Sequence, residues 1–330
     1  MRKSGSRLPA ALAACVLLCA TFAAGQPRSV SARRRAAPTH ARRAGKHAAH
    51  AGVSFNYDSS LASDVKGEVA RPSGCAGKPG DILPARVAFT FTDYPKPHES
   101  PFMEPPEIQV FPVSEYERAL AECEKSDAAL TTPPVDYYVS DFDSAVRVLK
   151  ALNAERPAPR SLRAWLKKRG PGYGRMPFVP MYDMSEALRA KVSYVDFRGG
   201  RGVAFVALYT IEETLVTNQA LAYVFLGLTD DGAYYVSVAF PVAAPFLPSE
   251  YTTEEAVRLG LGQTFFTGTK LEGRYRRYLA ATARRLEALP PGNYRPRLKL
   301  LNDLLRSLEV NPAAVKSYVN PKRPWGVIVA

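Results

Sequence analysis

Residues 191–248 read KVSYVDFRGGRGVAFVALYTIEETLVTNQALAYVFLGLTDDGAYYVSVAFPVAAPFLP, and two strand-turn-strand patterns follow one another within them. The first runs KVSYVDF, the turn Arg198-Gly199-Gly200-Arg201, then GVAFVALYTI. The second runs ALAYVFLGL, the turn Thr229-Asp230-Asp231-Gly232, then AYYVSVAF. Gly199-Gly200 meets a tight hairpin's demand for positive φ, and Asp230-Asp231-Gly232 suits a type I turn closed by Gly232 in the left-handed region. The second pair is rich in Tyr, Val and Phe on both faces, the pattern of central strands covered from both sides.

Working outward, strand patterns precede this stretch at VSFNY, around Asp64–Val69, at RVAFTFT and at EIQVF. Ser114-Glu115-Tyr116-Glu117 has the form of a capping box and predicts a helix through Cys123. A second helix is predicted over Asp141–Ala154, with Phe142, Ala145, Val146, Leu149 and Leu152 on one stripe. Downstream, Thr252-Thr253-Glu254-Glu255 starts another. Lys270–Leu289 is the longest, with an Arg-rich outer face, and Pro296–Leu308 presents Leu301, Leu304, Leu305 and Leu308. Hairpins bracketed by helices, without strict β-α alternation, predict one α+β domain: a single antiparallel sheet flanked by helices, loosely a PsbP-like α-β-α sandwich.

Charge divides the chain further. The net charge is +13 over 330 residues, but Arg2, Lys3 and Arg7 contribute three of these. Arg28, Arg33, Arg34, Arg35, Arg42, Arg43 and Lys46 contribute seven more, ahead of the first acid at Asp58. Everything after His50 therefore carries only +3. MRKSGSR followed by the uncharged run Leu8–Ala24, ending in small residues, reads as a signal peptide over residues 1–25. Leu12-Ala13-Ala14-Cys15 keeps a lipoprotein open, and an uncleaved anchor is the third reading. Residues 26–51, built of Ala, Arg and His, read as a disordered basic arm. The domain is expected over 52–312, with a basic insertion at 156–175, and residues 313–330 form a C-terminal tail.

That insertion, RPAPRSLRAWLKKRGPGYGR, has seven basic residues and no acid. Leu162, Trp165 and Leu166 align opposite Arg163, Lys167 and Lys168, as in a small membrane-surface or anion-binding helix; the alternative is a basic surface loop whose Trp plugs the domain. Without the leader, two cysteines remain, Cys75 and Cys123, and an oxidising compartment favours their pairing, which would contribute roughly 3–4 kcal/mol on the chain-entropy model; the alternative is two unpaired thiols. His98 lies near Asp93, Glu99 and Glu104 and is the weak candidate for catalysis, since no GxSxG supplies a nucleophile. Gly199-Gly200-Arg201-Gly202 lacks the Lys-Ser/Thr of a phosphate loop. Asp230 and Asp231 fall short of a calcium cage, and His40, His47 and His50 lack metal-site spacing, so no cofactor or metal is expected. Tyr194, Tyr209, Tyr223, Tyr234 and Tyr235 make either core or an aromatic binding face.

GVSFNYDSSLASDVKGEV, VAFTFTDYP, IQVFPVSEYE, AKVSYVDFRGGRGVAF and LGLTDDGAYYVSVAFPV, with Leu247-Pro248 after them, resemble an uncharacterised family of exported bacterial proteins and lipoproteins over residues 52–310. The resemblance implies export and no activity, so no catalytic residue carries over from it. The chain departs from it in the arm, in the Trp165 insertion and in having Leu12-Ala13-Ala14-Cys15 inside the apolar run instead of a clear lipobox at its end. The expectation is thus an exported, non-catalytic binding or assembly module at the cell envelope. The first alternative binds an anionic membrane surface or envelope polymer, with nucleic acid disfavoured, through Arg33, Arg34, Arg35, Arg42, Arg43, Lys46, Arg163, Lys167 and Lys168; the second is a hydrolase using His98.

Overall fold

The computed structural model describes residues 45–72, 83–95, 106–127, 136–169, 174–176, 185–210, 214–259 and 269–318. In chain order come strands β1 (Gly45–His50), β2 (Val53–Asp58), β3 (Asp64–Ala70), β4 (Arg86–Thr92) and β5 (Glu107–Pro112), then helices α1 (Val113–Asp127), α2 (Asp136–Glu155) and α3 (Leu162–Arg169). The two hairpins follow as β6 (Ser185–Phe197), β7 (Gly200–Thr210), β8 (Leu221–Thr229) and β9 (Tyr234–Pro241). Helices α4 (Thr253–Arg258), α5 (Thr269–Ala288) and α6 (Leu298–Arg306), the short strand β10 (Glu309–Val310) and helix α7 (Pro312–Tyr318) complete the described chain.

Seven strands form one sheet in the order β3-β4-β5-β9-β8-β7-β6. A three-strand and a four-strand meander join where β5 pairs antiparallel with β9, giving the α+β architecture that the hairpins imply. Strand β7 alternates as a doubly covered strand must: Val203, Phe205 and Ala207 enter the core on one face, Ala204, Val206 and Leu208 that on the other. Every residue of β8 is buried. On the first face α1, α2 and α3 bring Tyr116, Phe142, Leu149, Leu152, Leu162 and Leu166 onto Phe111, Val224 and Tyr235; Tyr116 stacks on Phe142 at 4.1 Å and Phe111 on Tyr235 at 5.4 Å. On the second face Phe55, Leu286, Leu301, Leu304 and Leu305 cover Phe89, Phe91, Val236 and Phe240. Burying a side chain of this size stabilises by about 1.5–3 kcal/mol.

The turns obey their chemistry with one refinement. Phe197 pairs with Gly200, so the first turn is Arg198-Gly199 alone, and Gly199 takes φ +87°. Gly200 is already strand, where a Cβ would run into the Phe197 ring and the Leu228 carbonyl. At the second turn Gly232 takes φ +69° and its N–H donates to the Thr229 carbonyl at 2.8 Å. Asp231 accepts from Thr229 Oγ1 at 2.5 Å and from the Ala233 N–H at 3.0 Å.

The sheet count and three boundaries differ from the sequence reading. The sheet is not alone: β1, β2 and β10 form a second, three-stranded antiparallel sheet. The basic arm therefore ends before Gly45 and not at Ala51, because β1 pairs with β2 from Gly45↔Asp58 to His50↔Val53 around a turn with Ala51 at φ +46° and Gly52 at φ +84°. An edge strand is held by backbone hydrogen bonds, so a stretch of Ala, Lys and His that buries only Ala48 and Ala51 still finds a place. The tail likewise begins later: Val315 on α7 is fully buried in the main core. Ser114 lies inside α1 instead of capping it, since β5 runs directly into the helix at Val113. Thr252 does cap α4, accepting from the Glu255 N–H at 3.2 Å.

Candidate functional site

The basic insertion folds as a built element. Arg156 turns the chain out of α2 at φ +43°, its N–H still donating to the Leu152 carbonyl at 2.8 Å. Pro157 and Pro159 forbid further α-helix and start a short 3-10 turn, Pro159–Ser161, from which α3 continues. Leu162 and Leu166 are fully buried against the sheet and Trp165 is half-buried beside them. Trp165 Nε1 donates to Glu155 at 2.8 Å, Arg169 pairs with the same carboxylate at 2.6 Å, and the Arg169 guanidinium lies 5.1 Å from the Trp165 ring. The apolar stripe read as membrane-facing is therefore spent on the domain's own core. Trp165 is the plug, and only the opposite face of α3 is available.

Two further contacts tie the insertion to β6. Tyr194 donates to the Pro157 carbonyl at 2.8 Å, and Arg156 forks onto Asp196 while lying 5.9 Å from the Tyr194 ring. The hydrogen bond from Arg156 holds the Asp196 carboxyl below its ordinary range. At the far end Glu186, its side chain 7% exposed, accepts from the Met176 N–H and from Arg189, both at 2.8 Å. Burial pushes the Glu186 carboxyl up, while Arg189 and, at longer range, Arg175 and Arg163 oppose the shift. A buried ion pair of this kind fixes a geometry more than it stabilises one.

What remains is a row of exposed cations. Arg156 and Arg169 are committed to carboxylates, whereas Arg160, Arg163, Lys167 and Lys168 are exposed and carry no hydrogen bond or ion pair among the described residues. Lys167 and Lys168 point away from Leu162 and Leu166, while Arg163 stands at the border of the buried stripe, three residues before Leu166, and Gly174 packs against the stems of Arg163 and Lys167. Such a face recognises carboxylates or phosphates: Arg163 by a planar fork, the lysines as point charges.

The other sequence candidates do not gather there. Lys46 lies on β1 and donates to the Ser63 carbonyl. Arg33, Arg34, Arg35, Arg42, Arg43, Cys75 and His98 lie outside the described residues, as does the side chain of Cys123, which α1 carries. Asp93, the proposed partner of His98, accepts from Ser63 Oγ at 2.6 Å. His47 meets Asn56 at 3.0 Å and His50 packs over Gly67; no metal-binding cluster occurs among the described residues. Asp231 is taken by Thr229 and Asp230 by Arg201 at 3.1 Å. Tyr209, Tyr223, Tyr234 and Tyr235 are core, so the tyrosines make no open aromatic face; Tyr194 alone of the five is half-buried. Sequence reasoning missed Arg160 as a member of the row and the Glu186–Arg189 anchor, whose pairing depends on a register shift between Glu186 and Leu188 that no local pattern announces. No family model, curated protein or solved structure matches the chain.

Proposed function

We propose that this protein is an exported, non-catalytic binding module that holds an anionic partner at the cell envelope through the outer face of α3. One observation carries the reading: Arg163, Lys167 and Lys168 of α3, with Arg160 in the 3-10 turn that leads into it, are exposed and without ion pairs among the described residues, while Leu162 and Leu166 lock the other face of the helix into the core. Export rests on the basic, apolar, small-residue order of residues 1–25. Each cation close to an anionic surface contributes about 1 kcal/mol, within a Debye length of about 8 Å at physiological salt.

The test is equilibrium binding of the full chain to phosphatidylglycerol vesicles and to polyglutamate. Binding is expected at about 0.1 M salt and is lost near 0.5 M, where the screening length falls from about 10 Å to about 4 Å. The variant R163Q/K167Q/K168Q should bind roughly 10–100-fold more weakly, as the loss of up to about 3 kcal/mol implies. A control of equal charge change, R198Q/R258Q/K299Q, removes cations already paired with Glu309, Glu255 and Asp303 and should bind as the unaltered chain does. Unchanged binding by the α3 variant would overturn the reading.

A further inference from the structure

A second basic helix stands across the sheet from the first. Residues 269–318 hold eleven Lys and Arg against four Asp and Glu, the most basic folded stretch outside the insertion. Helix α5 is anchored inward: Tyr275 donates to the Thr214 carbonyl at 3.0 Å, Tyr278 accepts from the Val216 N–H at 3.0 Å, and Leu286 is fully buried. Opposite that stripe, Arg277 and Arg284 are exposed and carry no hydrogen bond or ion pair among the described residues. They lie seven residues apart, two helical turns or about 10.5 Å along one line. Exposed Ala280 and Ala281 between them leave the approach open, and Arg285 flanks the line, stacked 4.0 Å over Phe246. Glu287, the acid at this end of the helix, accepts from the Lys191 N–H at 2.6 Å.

Edge strand β6 is what α3 and α5 share. Tyr194 and Val192 of β6 pack with α3 on one face of the sheet, while Ala190 and Val195 belong to the core that Leu286 of α5 enters on the other. The switch in facing occurs at the bulge between Ala190 and Ser193, where Lys191 has φ +57° and grips Glu287. Each helix buries its apolar stripe toward the sheet from its own side, so the two cationic rows look away from each other; the helix axes are roughly 20 Å apart at about 10 Å per layer, and the rows on their outer faces about 30 Å apart. A flat bilayer reaches one row at a time. A flexible chain passing round the β6 edge reaches both, and among the described residues neither row offers an exposed aromatic on which a nucleobase would stack.

We infer that a single linear polyanion wraps the β6 edge and is held at once by the α3 row and by Arg277 and Arg284 of α5. This rests on the reading of α3 as an anion-binding face. The test compares tetraglutamate, at most about 14 Å long, with a 30-residue polyglutamate that spans the edge easily, at about 3.3–3.6 Å per residue. Three full-chain variants are titrated beside the unaltered protein: R163Q/K167Q/K168Q, R277Q/R284Q, and both together. Bridging predicts that the long chain binds at least about 100-fold tighter than tetraglutamate, the scale of avidity from two linked sites, and that either set of substitutions alone removes most of that gain. Thermal midpoints should stay put, since surface changes of this kind cost within about 0.5 kcal/mol. If R277Q/R284Q keeps the full length preference, the bridge is wrong and the α3 reading stands. If R163Q/K167Q/K168Q keeps it too, both are wrong. If phosphatidylglycerol vesicles bind more tightly than the long chain and ignore R277Q/R284Q, the partner is a bilayer met by α3 alone, and the bridge is again overturned.

Discussion

Asp231 shows how much of this fold rests on single side chains at turns. Its carboxyl is held below the ordinary aspartate range first by the Thr229 hydroxyl and then by the Ala233 N–H. A depressed pKa means stability that is present above the unfolded value near 3.9 and lost as pH falls through the folded one. Asp231→Ala should therefore cost about 0.5–1 kcal/mol at neutral pH, discounted for exposure to solvent, and the difference from the unaltered protein should shrink below about pH 4 in urea titrations. Glu186 runs the other way. Burial raises its carboxyl, so its charged form opposes folding as pH rises through the folded value, and Arg189 offsets that cost. Arg189→Met leaves the carboxylate buried without its partner and should cost about 3–5 kcal/mol, least in acid and growing as pH climbs past the glutamate range. A deficit below about 1 kcal/mol that is flat with pH would show that water reaches Glu186. Asp231 was legible in the turn Thr229-Asp230-Asp231-Gly232. The pair Glu186–Arg189 was not, because three residues along a regular strand put side chains on opposite faces and only the bulge brings these two together.

At the scale of elements, legibility followed apolar pattern. Strands β7, β8 and β9 and helices α2, α5 and α6 bury the residues that their periodicities single out, because burial supplies most of the free energy that fixes them. Strand β1 and helix α7 escaped for the converse reason. GKHAAH offers almost no apolar area, and α7 contributes little more than Val315, so each is placed by pairing and docking with distant residues. Deletion separates the parts: removing residues 26–44 should leave the thermal midpoint where it is, whereas removing 26–50 takes away β1 and should lower it by roughly 5–8 °C, the scale for about 2–3 kcal/mol in a domain of this size. Equal midpoints for the two deletions would place β1 outside the cooperative fold. Strand β6 was half-read, from Lys191 onward; its two register shifts hid the first six residues. Those bulges also protect the sheet, since a kinked edge is a poor template for a second chain.

Over the whole molecule, charge is the property that composition most nearly concealed. Beyond His50 the chain is almost balanced, yet its cations gather on α3 and α5 while the acids spread elsewhere, many of them in ion pairs such as Asp196 with Arg156 and Asp230 with Arg201. The insertion was legible as a basic amphipathic helix; which of its faces stays free was not, because Leu162 and Leu166 find their partners on strands far along the chain. An anionic contact made by α3 shows itself in counterion release. Each neutralised anion steepens the dependence of log K on log salt by somewhat under one unit. Affinity of the full chain for 30-residue polyglutamate, measured from about 50 to 300 mM salt, should give a slope shallower by about two to three for R163Q/K167Q/K168Q than for the unaltered chain. Parallel slopes for those two, with the dependence collapsing instead when residues 26–44 are deleted, would rule out the α3 contact and place it in the N-terminal arm.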